Sequence, residues 1–152
     1  MEETPPVIER LEQEFAFLAR ALEAINRKRA YPLERAHYML LLQLRDGARA
    51  VGDLAAGLAL DDSTVTRQVA AMQRRGLVRK LPNPADRRSA LVERTAEGAA
   101  QAEAMRAARL ERLDALFADW PEGDRAALAT LLGRFNGSLS KTLSALPADA
   151  DD

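Results

Sequence analysis

The feature that most constrains the fold of this chain is a change of hydrophobic period between residues 51 and 94. Residues 51–58 and 61–75 carry apolar side chains at the three- and four-residue spacing of short amphipathic helices. Residues 77–81 and 90–94 are instead typical of short strands, and a basic segment rich in turn-forming residues separates them. Two short helices followed by a β-hairpin predict a winged helix-turn-helix, whose second helix suits the major groove of DNA.

Longer helical patterns flank this segment on both sides. A first amphipathic helix is predicted over about residues 5–30, because the residue before Pro32 disfavours helical geometry, and a second over about 33–44. The predicted inward face of the second helix comprises Ala36, Met39, Leu40 and Leu44. After the hairpin, two more helices are predicted over about 95–117 and 122–146.

The predicted fold class is therefore mainly α with a small two- to three-stranded β wing. Residues 33–98 form the winged helix-turn-helix lobe, and residues 5–30 and 99–146 form a helical dimerisation region. Residues 147–152 are predicted to be a disordered acidic tail.

Composition excludes several other classes of protein. The chain of 152 residues has no cysteine and a single histidine, so disulfides, thiol-based redox sensing and a metal site built from cysteine or histidine clusters are excluded. No apolar run approaches the roughly 20 residues that span a bilayer, and the N-terminus lacks the apolar segment of a signal peptide. No nucleophile–base arrangement or phosphate-binding glycine loop is present. We therefore expect a cytoplasmic protein without membrane contact, cofactor or enzymatic activity.

Charge is distributed unevenly along the chain. The formal net charge is −1, yet residues 61–94 contain eight Lys or Arg and four Asp or Glu, a local net charge of +4. A basic segment within an otherwise acidic chain is typical of a local phosphate-binding surface. The alternative is chance clustering of charge on a solvated face.

The outer face of the fourth helix carries the chemistry that DNA recognition requires. An N-cap is predicted at residues 61–64 and a left-handed C-terminal cap at Gly76. Val65, Val69 and Met72 share the inward face. The outward face and its flanks comprise Ser63, Thr64, Thr66, Arg67, Gln68, Ala70, Ala71, Arg74 and Arg75. Arginine pairs with guanine and glutamine with adenine, whereas hydroxyls suit phosphates. An ordinary exposed helix is the alternative, but it would more often carry Glu paired with Lys.

A second basic signal lies at the tip of the predicted hairpin, where Asp86, Arg87 and Arg88 follow two prolines. Arginine at such a tip can enter the minor groove, where the potential of DNA is most negative. A carboxylate is repelled by phosphates, so Asp86 is expected to brace a neighbouring arginine. The alternative is a solvated turn with a weak surface ion pair.

Residues 54–98 resemble the MarR family of bacterial transcription regulators. The similarity lies in the helix-turn-helix, LAAGLALDDSTVTRQVAAMQRRGLVRKL, and in the wing, DRRSALVERTAEG. The wing pattern of that family is Asp-x-Arg, an apolar strand and Thr-x-x-Gly, found here as Asp86, Arg88, Val92, Thr95 and Gly98. The resemblance implies a two-fold dimer held by the terminal helices.

Applied residue by residue, the resemblance implies that the start of the fourth helix contacts bases and phosphates. The residues expected to make these contacts are Ser63, Thr64, Thr66, Arg67 and Gln68. It also implies that Arg88 enters the minor groove and that Asp86 orients it. The chain departs from the family at Ala59, where glycine is frequent and where we expect the turn to avoid a left-handed residue. It departs again at Arg94, which replaces an apolar residue and is expected to reach solvent or an acidic neighbour.

The terminal helices carry apolar stripes that a monomer of this size would not leave exposed. The residues assigned to dimerisation are Leu11, Leu18, Leu22, Leu132, Phe135 and Leu139. The alternative is packing within one chain. The resemblance also implies a small aromatic or phenolic effector, for which Tyr31, Arg35, His37 and Tyr38 are candidate ligands. A packed helix with a hydrogen-bonded histidine is the alternative for that segment.

These observations together predict a homodimeric regulator, a repressor, that binds a pseudo-palindromic operator in duplex DNA. The alternative is a winged-helix adaptor that binds another protein and no DNA, because a fold does not determine a function. The outer face of the fourth helix discriminates between the two, since an adaptor would carry an apolar patch there.

Overall fold

A computed structural model of the chain describes residues 6–28 and 31–145. The chain divides into two compact units, with the boundary between Tyr31 and Pro32. The first unit contains helix α1 (Val7–Lys28), which has Glu9 in its first turn and basic residues in its last, as the helix dipole favours. Residues 5, 29 and 30 of the predicted first helix, and the predicted acidic tail, lie outside the described part of the chain.

The second unit begins with three helices that share one apolar core. They are α2 (Arg35–Gln43), α3 (Val51–Leu58) and α4 (Asp62–Arg74). The largest fully buried side chains of the unit are Leu40, Leu41, Leu44, Leu54, Met72, Leu77, Met105, Val65, Val69 and Val92. Met39, predicted to face inward, is 39% exposed, whereas His37 and Tyr38 are buried. The prediction for Met39 is wrong because the buried face of α2 is rotated toward His37, Tyr38 and Leu41.

The turn between α3 and α4 contains a left-handed residue, contrary to the prediction. Ala59 has φ 52° and ψ 46°. The N–H of Leu60 donates to the carbonyl of Ala55 at 3.0 Å, and that of Ala59 donates to Ala56 at 3.4 Å. This pair of bonds is a Schellman motif, which needs a left-handed residue to reverse the chain. Closing the turn thus outweighs the steric cost of an alanine Cβ, about 1–2 kcal/mol.

Helix α4 ends in the same motif, here with the predicted glycine. Gly76 has φ 70°, and the N–H of Leu77 donates to the carbonyl of Met72 at 2.9 Å. The predicted left-handed cap is therefore confirmed. The chain passes from this cap directly into the sheet.

The sheet has three antiparallel strands in the order β1-β3-β2. They are β1 (Arg49–Ala50), β2 (Val78–Pro82) and β3 (Ala90–Arg94). Strands β2 and β3 form the predicted hairpin. Strand β1 was not predicted as an element, because two residues carry no hydrophobic period.

Arg94, at the end of β3, lies half-buried and anchors the base of the hairpin. Its Nη2 donates to the main-chain carbonyl of Arg45 at 3.3 Å. The residue therefore contacts the loop after α2. The sequence had predicted instead that it would reach solvent or an acidic neighbour.

Two long helices follow the sheet, α5 (Ala96–Leu116) and α6 (Glu122–Ala145). Thr95 caps α5, since its hydroxyl accepts from the N–H of Gly98 at 3.0 Å and donates to the carbonyl of Gly76 at 2.6 Å. The first half of α5 buries Ala102 and Met105, whereas α6 buries no residue. No helix in the described ranges is long and apolar enough to cross a bilayer.

Candidate DNA-binding surface

The N-terminus of α4 carries a hydrogen-bond network centred on the carboxylate of Asp61. The main-chain N–H of Thr64 donates to Asp61 Oδ1 at 2.6 Å, and the Thr64 hydroxyl donates to Oδ2 at 3.0 Å. The Ser63 hydroxyl donates to Oδ1 at 3.2 Å. These hydrogen bonds, above all those from Thr64, lower the pKa of Asp61 from its ordinary value. The predicted N-cap is confirmed, and a fixed negative charge stands at the start of the helix.

The three hydroxyl groups assigned to DNA already donate within the protein. Besides Ser63 and Thr64, the Thr66 hydroxyl donates to the carbonyl of Asp62 at 2.7 Å. A phosphate oxygen only accepts, so each hydroxyl must turn away from its present acceptor before it can bind one. The hydroxyl of Thr64 additionally accepts from Arg67 Nη2 at 3.3 Å, which links the guanidinium to the Asp61 network.

The faces of α4 are disposed as the helical period predicted. Val65, Val69 and Met72 are at most 1% exposed and pack into the core. Arg67 and Arg74 lie on the opposite, solvent-exposed face. This face has no glutamate, so it presents guanidinium groups, hydroxyls and small side chains to solvent.

Gln68 and Arg75, on one flank of α4, instead interact with His37, a buried histidine of α2. Arg75 Nη1 lies 3.3 Å from Nδ1 of His37, and an interaction with the Gln68 side chain raises the pKa of the same ring. A guanidinium only donates, so Nδ1 is the acceptor and the neutral ring carries its proton on Nε2. Sequence reasoning had placed His37 near a ligand and the other two residues on DNA. No local pattern could reveal this contact, because 38 residues separate His37 from Arg75.

The environment of His37 favours the neutral ring. Burial lowers the pKa of His37 below its ordinary value of 6.5, and the Arg75 guanidinium acts in the same direction. The charge of Glu34 and the hydrogen bond with Gln68 oppose these effects without cancelling them. The ring therefore accepts from Arg75 at neutral pH.

The hairpin turn between β2 and β3, residues 83–89, is held by hydrogen bonds of the Asn83 and Asp86 side chains. Asn83 Oδ1 accepts from the N–H of Ala85 at 3.0 Å, and its Nδ2 donates to the Ser89 hydroxyl at 2.8 Å. Asp86 Oδ1 accepts from the N–H of Arg88 at 2.9 Å. Asp86 thus braces the main chain at Arg88, and it leaves the guanidinium of that residue exposed to solvent.

Cross-strand contacts stiffen the hairpin below this turn. Arg79 of β2 lies opposite Glu93 of β3, with Nε and Nη2 at 2.8 and 2.7 Å from the same carboxylate oxygen. Sequence reasoning missed this pair, although two opposite charges at paired positions of a hairpin are a usable signal.

Four arginines remain exposed on α4 and at the tip of the hairpin turn. They are Arg67, Arg74, Arg87 and Arg88. Within the described part of the chain, none of the four forms an ion pair with a carboxylate. Their charges are therefore not neutralised by ion pairing and are free to meet an anionic partner.

The residues suggested as effector ligands occupy dissimilar environments. Tyr31 is half-exposed in the first unit, and Arg35 is exposed on α2. Tyr38 is 6% exposed, and the Arg109 guanidinium of α5 lies over its ring, 5.5 Å from the centroid. His37 is buried and hydrogen-bonded. These placements agree with a packed α2, and a role in ligand binding stays a prediction.

The residues assigned to dimerisation form apolar stripes that are partly exposed. On α1, Leu11, Leu18 and Leu22 are 44–45% exposed. On α6, Leu132, Phe135 and Leu139 are 39–44% exposed. Long helices that expose a continuous apolar stripe are typical of subunit interfaces.

The helix pair, the basic outer face of α4 and the hairpin define a winged helix-turn-helix DNA-binding protein. The sequence model of the MarR family matches residues 31–89. The chain is also 35% identical to the HTH-type transcriptional regulator YxaD of Bacillus subtilis, over 73% of its own length and 78% of the relative. The chain belongs to the MarR family. It is a DNA-binding transcriptional regulator and not an enzyme, and the mainly α fold with a small sheet is confirmed.

Solved structures of family members support this placement. One is a mutant of MarR from E. coli complexed with operator DNA, which is 26% identical, with a TM-score of 0.64 over 80% of this chain and 95% of that one. Another is BpsR of Bordetella bronchiseptica, whose DNA binding is regulated by 6-hydroxynicotinic acid. BpsR is 28% identical, with a TM-score of 0.66 over 82% of this chain and 98% of that one.

Proposed function

We propose that this regulator acts as a homodimeric repressor on a pseudo-palindromic operator and is released from it by a small aromatic effector. The observation that carries the proposal is a set of four exposed arginines on α4 and in the hairpin turn that form no ion pair among the residues the structure describes. Each guanidinium offers donors for bases or phosphates, and a surface that met only solvent would more often pair such charges.

Helix α4 reads the major groove in this proposal. Arg67 lies in its second turn and, supported by Thr64, contacts the O6 and N7 atoms of a guanine. Arg74, near the C-terminal end, contacts phosphate. The Asp61 carboxylate keeps the first turn from binding any phosphate indiscriminately, because like charges repel.

The hairpin turn supplies the second contact. Arg88 enters the minor groove, and its main chain is already held by the carboxylate of Asp86. Arg87 binds the flanking phosphate backbone. Contacts of this kind raise the affinity for all sequences more than they discriminate between them.

A second copy of the chain covers the apolar stripes of α1 and α6 in the proposed dimer. Sedimentation velocity at micromolar concentration tests this. Leu139→Asp is expected to yield monomers, because it places a charge in the apolar stripe of α6. Leu60→Asp is the matched control, since Leu60 is 42% exposed but lies in the turn between α3 and α4. A monomeric wild type would contradict the dimer.

An aromatic effector is proposed from the relatives, since the DNA binding of BpsR is regulated by 6-hydroxynicotinic acid. We expect 6-hydroxynicotinic acid or a simple hydroxybenzoate to weaken operator binding in a saturable manner. Titration of a preformed protein–DNA complex measures this effect. If no compound of such a panel alters the affinity, regulation by an aromatic effector is contradicted.

Selection of binding sites from random duplexes tests the proposal as a whole. A dimer with two α4 helices in successive major grooves selects a pseudo-palindrome whose half-sites are about 10 base pairs apart, centre to centre. Selection of a single half-site without symmetry would contradict the dimeric arrangement. Enrichment of no sequence would leave a winged-helix adaptor as the better description.

A further inference from the structure

His37 joins the core of the DNA-binding lobe to the helix that meets DNA. It is 2% exposed and is the buried polar side chain of the described core. Its ring contacts Gln68 and Arg75, which lie seven residues apart along α4, about two helical turns. The acceptor nitrogen of the neutral ring, Nδ1, is thus engaged from the C-terminal end of this one helix.

We propose that His37 is a positioning residue for DNA binding, whose neutral ring sets the orientation in which Gln68 and Arg75 of α4 meet the duplex. The inference rests on the proposed function and deepens it, because it names a residue away from the DNA-facing surface that governs sequence selectivity.

The hydrogen bonds determine which end of the Gln68 amide is available to DNA. Because Nδ1 of His37 accepts from Arg75, the ring N–H is on Nε2. In this proposal the carbonyl oxygen of Gln68 is the acceptor of that N–H, which agrees with the interaction of Gln68 that raises the pKa of His37. The two amide N–H groups of Gln68 are left to donate outward. Position 68 therefore recognises a base atom that accepts, such as a purine N7 or the O4 of thymine.

The ring constrains Arg75 in a complementary manner. One Nη1–H bond is directed to Nδ1, so the guanidinium is held against the flank of α4 while its other donors remain for phosphate. Protonation of the ring removes Nδ1 as an acceptor for Arg75 and places two cations side by side. Both effects release the arginine, whereas Nε2–H of the charged ring continues to donate to Gln68.

Two charged groups, Glu34 and Arg75, act on the pKa of the ring. Glu34 is the N-cap residue of α2, and Arg75 approaches from the C-cap of α4. From α3, the buried side chains are the apolar Leu54 and Ala55, and the α5 guanidinium of Arg109 is stacked on the neighbouring Tyr38. His37 is the only histidine of the chain, so it is the side chain whose ordinary pKa falls between pH 5 and 8.

The test is the ratio of operator to random-DNA affinity, measured from about pH 8 to pH 5.5. The ratio of the wild type is expected to decline as the ring protonates. His37→Leu keeps an apolar core but removes both hydrogen bonds, so its ratio is lower by about five- to tenfold at pH 8 and independent of pH. His37→Gln, whose amide both donates and accepts, restores part of the ratio without restoring the pH dependence.

A folded His37→Leu variant with the wild-type ratio at every pH would overturn the inference. If that variant does not fold, the Gln68→Ala, Arg75→Ala double variant decides, since both partners are at the surface. Loss of the pH dependence in the double variant supports the inference, and retention of the wild-type profile overturns it. A wild type without selectivity at pH 8 refutes instead the proposed function, so the two failures are distinguishable.

Discussion

Gly98, in the first turn of α5, lies so close to Leu77 that a Cβ at position 98 would overlap the Leu77 carbonyl oxygen. The same oxygen accepts from the N–H of Thr95 at 3.0 Å. The Thr-x-x-Gly pattern of the sequence is thus a physical unit, in which the threonine caps α5 and the glycine lets the helix approach the chain that leaves α4.

Gly98→Ala is expected to lower the free energy of unfolding by about 1–3 kcal/mol, because main-chain atoms must shift to admit the methyl group. Denaturant unfolding measures the change. Gly123→Ala in α6 is the matched control, since nothing lies within 4 Å of a Cβ there. The control should be neutral or slightly stabilising, given the helix propensity of alanine. Equal stabilities of the two variants would argue against the close approach.

Ala59→Gly is expected to raise the free energy of unfolding by about 0.5–1 kcal/mol. Glycine removes the steric cost of the left-handed conformation, and the larger entropy of its unfolded chain offsets part of the gain. The converse variant Gly76→Ala places a Cβ at φ 70° and should be destabilising. The comparison of both with the wild type in thermal unfolding checks the prediction, which fails if Ala59→Gly destabilises.

Acid should destabilise the fold through His37. Its pKa is lowered in the folded state from 6.5, so the unfolded chain binds the proton more tightly. The resulting stability is complete above pH 6.5 and is lost as the pH falls through the lower folded-state pKa. Unfolding of the wild type and of His37→Leu across this range measures the effect. A steeper dependence in the variant would contradict the assignment.

Arg67→Ala and Arg88→Ala are expected to weaken DNA binding in different ways. Loss of a guanine contact by Arg67 costs about 1–3 kcal/mol on the operator and relaxes specificity at one position. Loss of Arg88 weakens binding to all sequences and makes the salt dependence less steep. Arg106→Ala on α5 removes one charge elsewhere and should change little. An equal loss on every sequence for Arg67→Ala would show that Arg67 contacts phosphate only.

The sequence predicted those parts of the fold that depend on local rules. The inward face of α4 follows from the helical period, and the caps at Asp61 and Gly76 follow from residue chemistry that acts within one turn. Ala59 was mispredicted because alanine alone disfavours the left-handed conformation. The turn between the packed helices α3 and α4 requires that conformation, and this requirement outweighs the preference of the residue.

The candidate site could be predicted only in part, for a related reason. The outward arginines of α4 are a property of one helix, but the link from His37 to Gln68 and Arg75 joins segments that are distant in the sequence. The two-residue strand β1 likewise exists because β3 is available to pair with it. Tertiary contacts of this kind leave no periodic pattern.

The measurement that tests the central claim most directly is binding of the purified protein to DNA upstream of its own gene and to random DNA, each over a salt series. A sequence-specific regulator should prefer one sequence by about a thousandfold or more, with an affinity that falls steeply as salt rises. Tight, selective binding of the upstream DNA is the predicted result. Absence of binding to either DNA at low salt would contradict the assignment of α4 and the hairpin turn to DNA recognition.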